Sequence, residues 1–484
     1  MKKKTIVTGL ILFVFAASFV IAQTPDRSKP PTLPDPPKLN LPEPVSFELS
    51  NGLKVVLIEK HEVPLVQTNI LINVGSVNET NEKSGITNLM MDWIDEGAAG
   101  KNSLQLADEI DFLGASINSV SGNHVSSISL HTPLAKYNDA LKLMADIILR
   151  PDFPESELKR LQNDKLSAIM QWYDEPFAIA SVGFNQLLYG KNHPYGRPSI
   201  GNENTIKSFT QKEIKDYYNN YFKSNNATIV VVGDVKKNEL KEKLESAFGK
   251  WEKGNVPVVN FEKAKQVEKR TVYIIDKPES AQSVIYIGKI GEPRNTKDYY
   301  SMKVMNTVLG ELFTSRLNGN LREEHGYTYG ARSSFAFRKE AGPFSAYSSV
   351  QTEITDSAVI QFFVELNNIS KPISAEELIK GKNYVALGYP SSFQTVSYIA
   401  DQLEDKITYN LPDSYFNDFV ANILKVNEKD FQSAAQKYIT PEKMIVVIVG
   451  DKNKIEESIK KLNLGEVKTL TIKDVVGEIP KLIE

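Results

Sequence analysis

Cysteine is missing altogether, and histidine is scarce, with five in a chain of 484 residues. Without thiols there is no disulfide, no thiolate metal ligand and no lipid attached through an N-terminal cysteine, so any zinc would need imidazole and carboxylate ligands. A basic excess is missing too: 57 Lys and Arg against 60 Asp and Glu leave a formal net charge of -3, which gives no drive toward nucleic acid. Long apolar runs are absent except at the start, where MKKKTIVTGLILFVFAASFVIA reads as a secretory signal over positions 1–22: lysines, an apolar stretch, then short side chains at the cleavage end. The alternative is an uncleaved N-terminal membrane anchor, for which the stretch is at the short limit. The expected location is outside the cytoplasm, in the periplasm.

Hydrophobic residues make up 41% of the chain, enough for substantial cores and at least two domains. Positions 23–44 are too rich in proline for a helix or a central strand and read as an extended tether. Beyond them, 45–60 (VSFELSNGLKVVLIEK) reads as a hairpin turning at Asn51-Gly52, and 65–74 as a further strand. Helical periodicity follows at 86–95, 104–113, 137–149 and 155–173, with β-type alternation at 117–130. The expected class is α+β with a mostly antiparallel sheet.

An internal repeat is the strongest organisational signal. FTQKEI at 209–214, Tyr221 and IVVVGD at 229–234 are echoed by VNEKDF at 426–431, Tyr438 and VVIVGD at 446–451, and the spacing from Tyr221 to Gly233 equals that from Tyr438 to Gly450. Only two copies of a long unit indicate a duplicated globular domain rather than a solenoid. The division is therefore 45–252 and 268–484, joined by a linker at 253–267.

Two motifs carry the chemistry. Positions 85–97, GITNLMMDWIDEG, resemble the first zinc-binding helix of pitrilysin/insulinase peptidases, whose pattern is Gly-x-x-His-x-x-Glu-His. That pattern sets two imidazoles on one helix face to share a Zn²⁺, with a glutamate to take a proton from the bound water. Aligned on Gly85, the histidine places hold Asn88 and Asp92 and the general-base place holds Met91. The third ligand's place, counted from Tyr173-Asp174-Glu175-Pro176, holds Ser167 or its neighbour Ala168. All four places lack the metal chemistry, so the resemblance implies no cofactor on this chain. Asp92, Asp95 and Glu96 read as a solvated helix end and not as a metal cluster.

The second motif, SRLNGNLREEHGYTY at 315–329, is similar to the other signature of that family, Leu-Arg-x-x-x-Gly-x-x-Tyr, met here by Leu321, Arg322, Gly326 and Tyr329. A guanidinium and a phenol are donors suited to a peptide carbonyl turning into an oxyanion. Gly326 would end a helix near Glu324 and start a strand near 327. LYGKNHPYG at 188–196 and Asn225-Asn226 also resemble the family, and His193, just before a proline, is expected to be structural. The resemblance implies two homologous α+β domains, each a mostly antiparallel sheet with helices packed on one face, hinged by the linker into a clam-shell. It further implies a chain that is not catalytic alone: a zinc-bearing homologous partner would hold the metal and hydrolyse peptides, while Arg322 and Tyr329 bind the substrate. A scaffold, or a protein that captures peptides without cleaving them, remains the alternative, and an autonomous peptidase with an atypical metal site the weaker one.

Overall fold

The computed structural model describes residues 41–484. The signal segment and most of the proline-rich tether lie outside the described residues. Among these, no helix is long and apolar enough to cross a membrane.

Asn51-Gly52 makes the expected turn, with Gly52 at a φ of 74°. It joins strands β1 (Val45–Glu48) and β2 (Lys54–Glu59) in antiparallel register. β3 (Leu65–Ile72) follows. The β-type alternation at 117–130 resolves into two strands, β4 (Ser116–Ser121) and β5 (Ser126–Pro133), because Gly122 and Val125 close a turn between them. With β6 (Ala227–Gly233) they form one sheet in the order β1-β2-β6-β3-β5-β4, antiparallel except for β2 on β6.

The second half repeats this plan. β7 (Thr271–Asp276), β8 (Gln282–Ile290), β9 (Ala331–Phe335), β10 (Pro343–Gln351), β11 (Ile445–Gly450) and β12 (Glu466–Thr471) are ordered β9-β10-β8-β11-β7-β12. Five strands correspond one to one, with the parallel pair β2/β6 matched by β7/β11. The sheets differ at one margin, where β1 is an antiparallel addition and β12 a parallel one. The helices leading into the matched strands, Gln211–Tyr221 and Glu428–Tyr438, have the same length and the same reciprocal cap, Thr210 with Glu213 and Asn427 with Asp430. Irregular chain from 251 to 270 joins the halves.

The Val/Ile-rich strands are buried on both faces, as unbroken apolar runs require. One face of the first sheet (Val55, Leu57, Ile70, Ile229, Val231) packs on that half's own helices. The second sheet uses Val272, Ile274, Ile285, Ile287, Val446 and Ile448 in the same way. The remaining face of each sheet is covered by a helix from the other half. Pro176–Tyr189 sets Ile179, Ala180, Phe184 and Leu188 against Ile275, Val284, Val447 and Val449. Val396–Thr408 returns the exchange, with Ile399, Ala400 and Leu403 in the same core as Ile58, Leu71, Val230 and Val232. The halves are thus interlocked as well as joined by the linker.

Candidate functional site

The first motif lies on helix α1 (Ile86–Trp93). Its entry is tight: Gly85 has a φ of 93°, and a Cβ there would stand 2.5 Å from the Ile200 carbonyl oxygen. Glu79 caps the helix, accepting the Gly85 N–H at 2.9 Å and the Thr87 N–H at 3.0 Å. Burial pushes the Glu79 carboxyl up to about 7, against the pull of those hydrogen bonds and of Arg197. Sequence reasoning missed Glu79; an acid just ahead of a helix start was the available signal.

Along α1 the side chains do not converge as metal ligands. Asn88 donates its amide to Ser121 Oγ on β4 at 2.9 Å, and its Oδ1 is buried without a partner. Met91 is fully buried in the apolar core. Asp92 is taken by the ammonium of Lys165, which comes from helix α2 (Glu155–Trp172). Ser167 and Ala168 are half-buried on that same helix. Glu96 pairs with Arg160 of α2, which also holds Glu157 at 2.8 Å and Asp164 at 3.1 Å. Asp95 is raised to about 6 by burial. An amide, a thioether turned into the core and a carboxylate neutralised by lysine do not fit Zn²⁺. Among the described residues no group of three or more His, Asp or Glu is placed to hold a metal.

The histidines are engaged elsewhere. His61 lies on the surface between Asp234 (2.7 Å) and Glu59 (3.3 Å). His124 meets the Tyr195 hydroxyl at 2.5 Å, and burial lowers it to about 4. His131 contacts Gln67 at 3.0 Å, while His193 Nδ1 accepts the Tyr195 N–H at 3.0 Å and its ring stacks on Tyr189. His325 stacks on Tyr327.

The second motif is built on a π-helical turn, Gly319–Glu324, a local widening that recurs at functional sites. Gly326, at a φ of 67°, ends it as expected, its N–H bonded to the Arg322 carbonyl at 3.1 Å. The strand begins later than expected, at Ala331 instead of 327, because Thr328 Oγ1 accepts the Gly330 N–H at 3.0 Å and folds 326–330 into a loop. Tyr329 stands on this loop and is 93% exposed. The Arg322 guanidinium lies 4.6 Å over the Phe313 ring and 3.3 Å from Glu323, so it rests on Phe313 and is not joined to Tyr329. Phe313 is itself 61% exposed. Tyr329 thus presents its hydroxyl to solvent, while Arg322, on the same short segment, keeps a guanidinium that is partly exposed above Phe313.

Comparison with known proteins places both halves in one family. The profile described as "Insulinase (Peptidase family M16)" matches residues 54–180, and the one described as "Peptidase M16 inactive domain" matches 208–385, which includes the Arg/Tyr segment. A Bacillus subtilis protein named "Uncharacterized zinc protease YmxG" is 28% identical over 62% of this chain and 72% of its own. The "Non-peptidase homolog YmxG" of Helicobacter pylori is 22% identical over 84% of this chain and 94% of its own. A crystal structure described as a peptidase M16 inactive domain from Pseudomonas fluorescens superposes with a TM-score of 0.79 at 26% identity, covering 85% of this chain and 98% of that one.

Proposed function

Because the chain belongs to the M16 family of insulinase-like peptidases and is an inactive member of it, we propose that it is the zinc-lacking subunit of an exported two-chain metallopeptidase. In this reading a homologous partner holds the zinc and hydrolyses the peptide, and Arg322 and Tyr329 grip the substrate backbone beside the scissile bond. The observation that carries the reading is the asymmetry of the two motifs. The metal motif is filled with an amide, a buried thioether and a lysine-paired carboxylate. The gripping motif keeps both donors, with Tyr329 almost wholly exposed.

The chemistry asked of this chain is confined to hydrogen bonding. A peptide carbonyl gains negative charge as water adds to it, and a guanidinium and a phenol aimed at that oxygen stabilise the charged state more than the ground state. Zinc in the partner would supply the activated water. Export, with positions 1–22 as the signal and the periplasm as destination, is part of the proposal. A second reading, peptide capture without cleavage, draws on the free edge of β4, whose residues alternate between exposed and half-buried.

The test is peptide cleavage by this chain, by a candidate partner with an intact His-x-x-Glu-His, and by the mixture. Activity is expected in the mixture alone, and Arg322→Ala or Tyr329→Ala should cost roughly 1–4 kcal/mol in kcat/KM, about 5- to 1,000-fold. Zinc-dependent cleavage by this chain alone would refute the proposal. Mixtures that keep full activity with both variants would reduce the chain to a scaffold.

A further inference from the structure

We propose that Asn318 is the positioning residue that sets Arg322 and Tyr329 in register with each other; the inference rests on the reading of those two as the substrate grip. Asn318 lies one turn before Arg322 and is 4% exposed. Its amide is used at both ends. Nδ2–H donates to the Phe313 carbonyl at 2.6 Å, and Oδ1 accepts the Ala331 N–H at 3.1 Å. Phe313 is the residue whose ring supports the Arg322 guanidinium. Ala331 is the first residue of β9, immediately after the loop that carries Tyr329. One side chain thus ties the support of the guanidinium to the root of the phenol.

The loop has a second anchor, which fixes its other side. Ser348 on β10, 1% exposed, donates at 2.8 Å to Thr328 Oγ1 or at 2.9 Å to the Gly330 carbonyl. Tyr329 lies between these two bonded residues, so its backbone is held although its side chain meets solvent. Such an arrangement pre-organises an exposed donor: the ordering cost is met in folding and not on substrate binding. Hydrophobic packing could not replace the amide, because the Phe313 carbonyl needs a donor and the Ala331 N–H an acceptor, and the amide supplies them on two separate atoms of one side chain.

The experiment is hydrogen–deuterium exchange on the full chain, with Asn318→Leu, Asn318→Asp and, as a control, Asn226→Asp. Asn226 is a comparable buried pin in the first half, donating to the Tyr221 carbonyl at 2.9 Å. Asn318→Leu should speed exchange across 326–331 at least tenfold, while Asn226→Asp should leave that segment at the wild-type rate. If the leucine variant does not fold, the aspartate variant carries the test. It keeps an acceptor for Ala331 and loses the donor to Phe313, so 326–331 stays slow while 312–318 speeds up. Wild-type exchange across both segments, or equal loosening by the Asn226 control, overturns the inference. The same variants in the partner mixture separate the two claims: a loosened segment with lowered kcat/KM supports both, whereas a loosened segment with unchanged cleavage leaves Asn318 as the pin and removes the role given to Arg322 and Tyr329.

Discussion

The Lys165 side chain is 11% exposed, and its ammonium meets the carboxylate of Asp92, whose side chain is 41% exposed. The pair links α1 to α2, the two helices that a zinc ion would bridge in a chain with the intact motif, and Arg160 adds a second link through Glu96. Because the two partners differ in exposure, they differ in what their loss costs. Asp92→Ala leaves a nearly buried ammonium without its acceptor and is expected to cost about 2 kcal/mol. Lys165→Met keeps the apolar stem and leaves a carboxylate that water reaches, at under about 1 kcal/mol. Urea midpoints of the two variants would show the order, and equal losses would refute it.

Among the elements, the exchanged helix Pro176–Tyr189 shows how close packing is made. Two glycines face each other's partners. A Cβ on Gly183 of the helix would come within 2.8 Å of Ile275 Cδ1, and one on Gly288 of β8 within 2.7 Å of Phe184 Cζ and 2.0 Å of the Phe344 carbonyl. With both Cβ atoms absent the helix settles onto the sheet, and Phe184, 2% exposed, becomes its central anchor against Tyr286. Phe184→Ala should cost roughly 3–5 kcal/mol in urea unfolding, as for a large core aromatic. If the exchange is what unites the halves, that loss should appear in a single transition and not in the first half alone.

Much of this level was legible beforehand. The Asn51-Gly52 turn, the helices starting at Ile86, Tyr137 and Glu155, and the matched strand-and-helix units follow from local periodicity and capping, which the chain satisfies within a few residues of itself. The helix exchange was not legible. Unbroken runs such as IVVVG announce that both faces of a strand are buried, but not which helix covers the second face. The spacing of Leu321, Arg322, Gly326 and Tyr329 located the second motif. It could not show that Phe313 supports the guanidinium or that Ser348 holds Thr328, because both lie outside that spacing, nor that Thr328 would turn back on Gly330 instead of continuing as strand. The ion pair at Asp92 was hidden for the same reason: Lys165 is one of many lysines until the fold sets it opposite α1.

For the whole molecule, the contact between halves contains a titratable group. Glu404, on the exchanged helix Val396–Thr408, faces Ser127 at 3.3 Å and Asn69 at 3.5 Å on the first sheet. Burial first, then the nearby charges of Asp401 and Asp405, raise its carboxyl from 4.5 to about 7. The folded protein therefore holds this proton more tightly than the unfolded chain does. Below about 4.5 both states are protonated and the full contribution to stability is present; between there and about 7 the unfolded chain has released its proton and the folded one has not, so stability falls as pH rises, levelling off above 7. Allowing for the solvent that reaches it, the loss is on the order of 2 kcal/mol. Glu79 and Asp95 titrate over the same interval within the first half, and His124, lowered by burial, acts in the opposite direction, so the wild-type profile contains all of them and only differences between variants isolate Glu404. Glu404→Gln keeps an uncharged group of the same shape and should flatten the profile between pH 5 and 8 by about that amount, chiefly by raising stability at pH 8. Glu79→Gln on top should flatten it further. Urea unfolding of wild type, single and double variants at pH 5, 6, 7 and 8 measures each share, and a Glu404→Gln profile parallel to wild type would mean that this carboxyl titrates alike in the folded and unfolded chain and adds nothing to the pH dependence of the contact.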